Sequence, residues 1–428
     1  MPSKQSIQYH LEHFTLPQTI SLYLYKWYNI KNHVAPMGII KHFIIVVLVM
    51  LSALPNIVAQ DTIQPKDSLI QPRIYTLPLV EYRESTKLNT QRKKNGFLAS
   101  PFVFFKPDTD LLFGGLGVYY FRLKTNDNFK QETRLSFVQT IFEYSLNDQM
   151  DIQLGANIFL PNESYVAKGF FRFKIFPDVF YGVGNNTPEE NAETYNYNVF
   201  IANTSLARKL APGVFLGLEY RYANTYNIDF DEPTSEVLDN VTGINGGVNS
   251  GLGLIFTIDK RDNVVNASKG YFLEFSKYVY ASKLGSTFNF SNVNFTFNKY
   301  FDLGKKQILA TNTVANLNSG DPSFLSMALA GGERILRSYP MNRFRDKNFV
   351  GTQIEYRRHL FWRFGMVGFA GLGDVFESTD QLAWDRVKYS YGVGLRVTLN
   401  RQERLNFRLD YGIGRDSRSV YVTVTEAF

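Results

Sequence analysis

The chain has 428 residues, no cysteine, a formal net charge of +7 and an aromatic content of 15%. The mild positive charge gives no case for nucleic acid, and the absence of cysteine excludes a disulfide framework. A mean hydropathy of −0.19 excludes a bundle of membrane-spanning helices, but it is normal for a membrane β-barrel, in which half of each strand is polar. The excess of Tyr and Phe is typical of the interface girdles of such a barrel.

The first apolar segment lies near the front of the chain. Residues 37–42 form a short basic region, residues 43–51 are apolar, and small residues lead to Ala59. This order predicts a secretory signal peptide over residues 37–59, cleaved near Ala59. A permanent helical anchor is the alternative, but it needs about 20 apolar residues, and Pro55 interrupts the end of this run.

The segments on either side of this signal carry no sustained period. Residues 1–36 precede it, and we interpret them as a mis-called extension of a chain that starts at Met37. Residues 60–96 are polar and contain three prolines that interrupt regular structure. They predict a periplasmic linker, which is too short to be a folded periplasmic domain of its own.

From residue 97 onward the chain alternates between runs of period two and turn signals. This pattern predicts an all-β fold, a transmembrane antiparallel β-barrel of the outer-membrane type over residues 97–428. The predicted strand number is 16, an even number, as bacterial single-chain barrels require. The predicted strands cover residues 97–105, 111–123, 131–144, 148–160, 165–176, 195–208, 213–226, 248–258, 270–281, 286–300, 306–318, 349–361, 364–374, 387–399, 404–413 and 419–428.

The connections between these strands alternate in length. Tight turns include residues 209–213 and 302–306, whereas residues 177–194, 227–247 and 320–348 are long and polar. Outer-membrane barrels have short periplasmic turns and longer external loops, so the long segments are expected outside. A soluble β-sandwich is the rival architecture, but more than 300 residues of strand and turn are too many for one sandwich.

Charged residues share one parity in the C-terminal strands. Arg396 alternates with lipid-compatible Tyr, Val and Leu side chains, and Asp410 shares its inward parity with Arg408. A water-filled lumen accepts such charges, whereas an Arg in hydrocarbon costs about 2–4 kcal/mol. The strand over residues 286–300 is irregular, and its change of parity predicts a β-bulge near Asn292.

A long basic loop, residues 320–348, leads into a strand of strict alternation. Ionisable groups on one face of this strand favour a wet lumen on that side. The predicted outward set is Val350, Thr352, Ile354, Tyr356 and Leu360, and the inward set is Gly351, Gln353, Glu355, Arg357 and His359.

The chain ends in an aromatic residue. Val420, Val422, Val424 and Phe428 share one parity, interrupted by Glu426. A terminal aromatic that closes an alternating strand resembles the signal by which assembly machinery captures barrel precursors. We therefore expect these four residues to form a C-terminal assembly signal.

Several motifs resemble those of BamA/TamA-like bacterial surface antigen barrels. The sequence Leu336-Arg337-Ser338-Tyr339, preceded by Gly331-Gly332, is similar to the family's [VL]-R-G-[FY] signature loop, and residues 259–263 resemble its D-x-R-D-N turn. The resemblance implies an outer-membrane barrel whose signature loop (residues 320–348) folds back into the lumen. It also implies a short member of the family, because residues 60–96 are too few for a POTRA domain.

In this family the loop arginine is held by acidic groups on facing strands. The family's principal acid belongs to an F-x-D-x-G pattern, but Gly371 occupies that position here, and Ser338 replaces the loop glycine. Glu355 is the favoured replacement as partner of Arg337, because its parity is inward. The luminal residues expected around Arg337 are Glu355, Arg357, Arg396, Asp410 and Asp374. The alternative places Arg337 in a solvated external loop, in contact with lipopolysaccharide phosphates.

Signals for catalysis are scarce. His359 is the one histidine after the predicted signal peptide, and a single inward histidine is more often a satisfied lumen residue than a catalyst. Without cysteine, and with this one histidine, the sequence offers no metal-ligand cluster. No G-x-S-x-G motif occurs, and a pairing of His359 with Ser338 has no further support. We expect no enzyme, no cofactor and no metal.

Two functions remain open. The first is an assembly barrel that helps to insert or translocate outer-membrane proteins through a weak seam between residues 97–105 and 419–428, while the docked loop braces the opposite wall. The second is a passive pore or structural surface antigen. The expected location is the outer membrane of a Gram-negative bacterium. The expected partners are lipids and lipopolysaccharide, the barrel assembly machinery during insertion and, for the first function, client proteins; nucleic acid is not among them.

Overall fold

The computed structural model describes residues 95–428 except 107–109, 124–132, 134–135, 147–148, 232–235 and 402–403. The predicted extension, signal peptide and cleavage site, and residues 60–94 of the predicted linker, lie outside the described residues. Within the described part of the chain, no helix is long and apolar enough to cross a membrane.

Sixteen antiparallel strands form one sheet in which each strand pairs with its neighbours along the chain. This confirms the predicted fold class and strand number, and the sheet is that of an outer-membrane β-barrel. The strands are β1 (Asn95–Lys106), β2 (Asp110–Phe121), β3 (Ser136–Ser145), β4 (Met150–Phe159), β5 (Tyr165–Phe180), β6 (Glu193–Ala211), β7 (Val214–Phe230), β8 (Gly247–Asp259), β9 (Gly270–Tyr280), β10 (Phe290–Gly304), β11 (Gln307–Gly320), β14 (Asn348–Phe361), β15 (Phe364–Phe376), β16 (Lys388–Asn400), β17 (Leu405–Gly414) and β18 (Ser417–Val424).

The signature loop lies between β11 and β14, the eleventh and twelfth barrel strands, as predicted. It contains a small hairpin of its own, in which β12 (Ala328–Ala330) pairs with β13 (Phe344–Asp346). The signature loop also contains a short 3₁₀ segment, Phe324–Ser326. Similar segments occupy other connections: Pro161–Glu163, Glu189–Asn191, Glu236–Leu238, Ser282–Leu284 and Thr379–Gln381.

Alternation in the C-terminal strands follows the predicted faces. In β14, Val350 and Ile354 are exposed while Glu355 and Arg357 are buried. Period two places successive side chains on opposite faces, so the exposed apolar set faces lipid and the charged set faces the lumen.

The predicted bulge near Asn292 is wrong. β10 keeps an uninterrupted register with β9 from Phe290 to Tyr300, and its register with β11 shifts only between Asp302 and Gly304. The change of parity has another cause: Phe290 faces inward, where its ring stacks on Tyr280 with centroids 4.3 Å apart. The apolar Phe290 thus has the sequence pattern of a lipid-facing residue, although its ring belongs to a luminal aromatic pair.

The chain leaves the sheet after β18. Val420 and Val422 are exposed on the outer face, but Thr425 has a φ of 81°, and Glu426 and Ala427 are buried. Phe428 shares the sequence parity of Val420 and Val422 but not their outer face: its ring packs toward Tyr300 and Arg357 on the luminal side, with the Tyr300 centroid 6.2 Å away. The side chain of Val424 is not described.

The long periplasmic turn between β8 and β9 is held by one carboxylate. Asp262 accepts hydrogen bonds from the Ser268 amide at 2.8 Å, the Lys269 amide at 3.1 Å and Arg404 Nη1 at 2.7 Å. Burial raises the pKa of Asp262, but the hydrogen bonds from Ser268, Lys269 and Arg404 outweigh it and lower the pKa below its ordinary value. The turn is thereby tied to the turn between β16 and β17.

Candidate functional site

The signature loop packs on the inner wall through a core of its own. Ile335, Leu336, Tyr339 and Phe344 are buried with residues of β14 and β15. Gly331 and Gly332 have φ values of 100° and 119°, and a Cβ on Gly331 would collide with the Pro340 carbonyl. Glycine is required there because the two sides of the turn approach closely, and the Gly332 amide donates to the Tyr339 carbonyl at 3.1 Å.

Arg337 is buried between two acids on different strands. Its Nη2 lies 2.5 Å from Glu355 Oε1 on β14, and its Nη1 lies 2.8 Å from Asp410 Oδ2 on β17. Its guanidinium also lies 3.6 Å from the centroid of the Phe369 ring on β15. The planar fork of an arginine suits such divided carboxylate contacts and stacking on a ring, and lysine could not supply both.

These acids belong to a larger group of paired charges, which we call the luminal charge cluster. Arg357 binds Glu355 at 2.7 Å, and Arg396 binds Asp410 at 2.5 Å. Glu426, which follows β18, accepts from Arg396 Nε at 2.8 Å. The cluster comprises Arg337, Arg357, Arg396, Arg408, Glu333, Glu355, Asp410 and Glu426. Opposite charges are balanced within it, which burial in a low-dielectric site requires.

Sequence reasoning brought most of these residues together but placed one wrongly. Asp374 does not reach Arg337 in the described residues; it lies at the external end of β15 and accepts a hydrogen bond from Asn185. The sequence favours Glu355 as the acidic partner of Arg337, and in the structure Glu355 and Asp410 share this role. Arg408, Glu333 and Glu426 were not named as site residues, although the inward parity of Arg408 was visible in the sequence.

Gln353 occupies the space that an aspartate at position 371 would need. Gln353 and Gly371 are directly paired across β14 and β15, and a Cβ on Gly371 would lie 2.9 Å from Gln353 Cβ. The Gln353 amide accepts from Arg337 Nη2 at 3.3 Å and donates to the Arg334 carbonyl at 2.5 Å. Gly371 replaces the aspartate of the family pattern, and the neutral side chain of Gln353 on the neighbouring strand binds Arg337 in its place.

Ser338, the second difference from the family pattern, is accommodated because Gly414 on β17 has no side chain. Ser338 is fully buried, and a Cβ on Gly414 would collide with its Oγ. The Ser338 carbonyl accepts from Ser417 Oγ at 2.7 Å and from Ser419 Oγ at 3.0 Å, and the Tyr339 carbonyl accepts from Tyr421. The loop tip thus contacts β17 and β18, beside the predicted seam, whereas the sequence predicts that the docked loop braces the opposite wall.

The other end of the signature loop contacts the far side of the lumen. Arg343 donates to Thr187 Oγ1 at 2.9 Å, and the Arg345 carbonyl accepts from the Gly184 amide at 2.7 Å. Arg345 also donates to the Phe324 carbonyl at 3.2 Å, and Phe324 packs among aromatic residues of β5, β6 and β7. The loop is therefore anchored at both ends, on β5–β7 and on β14–β18.

A hydrolytic pair of His359 and Ser338 is not formed. His359 lies near the periplasmic turn of β14 and contacts the Trp362 carbonyl at 3.1 Å, whereas Ser338 packs against Gly414 at the external end of β17. No group of three or more metal-ligating residues occurs among the residues that the structure describes.

A 16-stranded antiparallel sheet with lipid-compatible outer residues and a basic loop bound to its inner face is the fold of an outer-membrane β-barrel. The profile of the Omp85 superfamily domain matches residues 113–420. The chain belongs to the Omp85 superfamily.

Solved structures share this fold at low sequence identity. BamA from Haemophilus ducreyi lacking POTRA domains 1–3 is 12% identical with a TM-score of 0.51, covering 78% of this chain and 70% of that one. CdiB from Acinetobacter baumannii is 12% identical with a TM-score of 0.50, covering 78% of this chain and 60% of that one. CdiB from Escherichia coli is 11% identical with a TM-score of 0.51, covering 79% and 63%. The chain thus spans less than two thirds of either CdiB. No curated protein matches the sequence.

Proposed function

We propose that this barrel assists the insertion or translocation of other outer-membrane proteins through a lateral seam between β1 and β18, with the signature loop held in the lumen. Membership in the Omp85 superfamily, whose members are transporters or insertases, supports this role. The proposed partners are client outer-membrane proteins, surrounding lipids and lipopolysaccharide, and the assembly machinery that inserts the barrel itself, for which the C-terminal residues would be the signal.

The contact of the loop tip with β18 carries the proposal. Hydroxyl groups of Ser417, Ser419 and Tyr421 donate to carbonyls of the loop tip. These contacts hold the inner face of the strand that borders the seam and leave its hydrogen-bonding edge unoccupied. An edge strand fixed in this way can pair with an incoming strand, because its backbone donors and acceptors are in place.

The two edge strands also differ in length. β1 has 12 residues and β18 has 8, and no pairing between them occurs among the described residues. Even fully paired, β18 could satisfy only part of the edge of β1. A barrel opens at least cost at its weakest strand junction. Opening it between any other two neighbouring strands would break the hydrogen bonds of a formed ladder.

The proposal can be tested by locking the seam with a disulfide between β1 and β18. The chain has no cysteine, so pairs introduced between residues 97–101 and 418–422 can be scanned for a disulfide without interference. The matched control is a Val393→Cys/Tyr411→Cys pair, which locks neighbouring residues on the outer faces of β16 and β17. After depletion of the native protein, we expect client barrels to disappear from the outer membrane. A variant with the control pair should restore the client barrels. A variant with a disulfide across the seam should restore them only after a reductant opens that disulfide.

Two results would contradict the proposal in different ways. Full restoration by the locked seam would exclude lateral opening. An unchanged outer-membrane profile after depletion would exclude an assembly role and favour the second candidate, a passive pore or structural surface antigen.

A further inference from the structure

Two adjacent periplasmic turns form one continuous surface. The turn between β10 and β11 consists of Lys305 and Lys306, and the turn between β14 and β15 contains Trp362. β11 pairs with β14 so that Gln307 faces Arg358, and the His359 amide donates to the Lys306 carbonyl at 3.2 Å. The backbone therefore fixes the two turns side by side.

Three cations on this surface have no anionic partner within the part of the chain that the structure describes. Lys305, Lys306 and Arg358 are exposed, and among the described residues no ion pair involves any of them. The acid closest in sequence, Asp302, accepts a hydrogen bond from the Gly304 amide at 2.9 Å and thus serves the turn itself. A group of like charges that is not neutralised within the protein attracts an external anion.

Exposed apolar side chains border these cations on the lipid side. Phe301, Leu303, Leu360, Phe361 and Trp362 are all exposed, and Phe361 and Trp362 are 66% and 64% exposed. Aromatic rings of this kind lie at the headgroup level of a bilayer, where the ring is in apolar surroundings and the rim is wet. The cations are therefore at the height of the phospholipid headgroups of the periplasmic leaflet.

One further lysine extends the site toward the hydrocarbon. Lys299 faces outward on β10, and its Nζ lies 5.4 Å from the ring centroids of both Tyr271 and Phe301. Its aliphatic stem can cover these rings while the ammonium reaches up to the headgroups. A ligand with acyl chains below and a phosphate above would contact both parts of this surface.

We infer that the two turns bind an anionic phospholipid of the periplasmic leaflet, with its phosphate between Lys305, Lys306 and Arg358 and its acyl chains against the exposed aromatic residues. A zwitterionic lipid offers no net charge to the three cations and is bound less well. The site is on the outer wall and does not depend on the proposed seam, so it holds whether or not the barrel assists other proteins.

Trp362 itself is the reporter for the test. The three tryptophans are Trp27, Trp362 and Trp384, so a Trp27→Phe/Trp384→Phe background leaves Trp362 as the single fluorophore. The full chain is reconstituted in phosphatidylcholine vesicles that contain a minor fraction of brominated lipid, either phosphatidylglycerol or phosphatidylcholine. Bromine quenches tryptophan at short range, so the ratio of the two quenching efficiencies measures selective binding next to Trp362.

We expect brominated phosphatidylglycerol to quench Trp362 more than brominated phosphatidylcholine at the same fraction, with a preference that weakens as salt is added. A Lys305→Gln/Lys306→Gln/Arg358→Gln variant should lose the preference, since each cation near a charged surface contributes roughly a fivefold factor to binding and the three together about 100-fold. The control Lys277→Gln/Lys283→Gln/Arg418→Gln removes the same charge from exposed residues toward the external side and should keep it. Equal quenching by the two lipids, or a preference that survives in the first variant, would overturn the inference.

Discussion

Arg337→Ala removes the one loop side chain that joins the acids of β14 and β17. Both acids are fully buried, and both lie within 2.8 Å of the Arg337 guanidinium. Removal of one partner from a buried ion pair costs about 3–5 kcal/mol. We expect the lower end, about 3 kcal/mol, because other arginines of the luminal charge cluster still neutralise these carboxylates. This corresponds to a roughly 100-fold decrease in the ratio of docked to undocked loop.

A single cysteine measures that ratio directly. Ser338 is fully buried when the loop is docked, and the chain has no other cysteine, so Ser338→Cys reacts with a maleimide only after undocking. The labelling rate is then proportional to the undocked fraction. In the Arg337→Ala background this rate should rise about 100-fold, with Arg337→Lys in between because lysine keeps the charge but loses the fork.

The control is Arg418→Ala, which removes an exposed arginine from β18 and should leave the labelling rate unchanged. Slow labelling in both the parent and Arg337→Ala would show that the loop docks without this arginine. Fast labelling in the parent would show that the loop is not docked, and either result would refute the role assigned to Arg337.

The remaining predictions concern the loop tip, the C-terminus and a periplasmic turn. Gly414→Ala should raise the labelling rate of a cysteine placed elsewhere in the loop, and Ser338→Gly should partly reverse this, because the added methyl collides with the serine hydroxyl; no reversal would contradict the collision. Glu426→Gln should lower the midpoint of denaturant unfolding, since it removes a buried ion pair of 2.8 Å; an unchanged midpoint would count against this. Asp262 has a lowered pKa in the fold, so the hydrogen bonds that it accepts from Ser268, Lys269 and Arg404 contribute stability above the ordinary pKa of an aspartate, and this stability is lost as pH falls through the lowered value. Unfolding midpoints measured against pH should show this loss. Asp262→Asn should remove this part of the pH dependence and leave the protein folded at neutral pH.

The faces of the strands were predictable because period two leaves few choices. Once Arg357 was placed inward, Glu355 had to share its face, and the same logic placed Arg396 and Asp410 in the lumen. Register was not predictable from alternation alone. Asp374 has a suitable charge, but pairing with Val350 places it at the external end of β15, away from the loop arginine.

Two apolar residues show why hydrophobicity alone does not predict exposure to lipid. Phe290 and Phe428 are apolar, yet one stacks on Tyr280 and the other turns inward after Thr425. A luminal aromatic residue and a lipid-facing one have the same letter in the sequence, and only the backbone path separates them. The pairing of Gln353 with Gly371 likewise requires the register of β14 and β15 to be known.

The luminal charge cluster has a consequence for the order in which the barrel is completed. Arg337 is synthesised well before one of its carboxylate partners, since Asp410 follows it by 73 positions. Arg396 likewise precedes its partner Glu426 by 30 positions. Until the last strands arrive, these arginines face an unfinished wall without their full set of carboxylates. The final neutralisation of the luminal charge cluster thus coincides with the arrival of β17 and of Glu426 after β18. A chain truncated before β17 would retain uncompensated positive charge in the cluster.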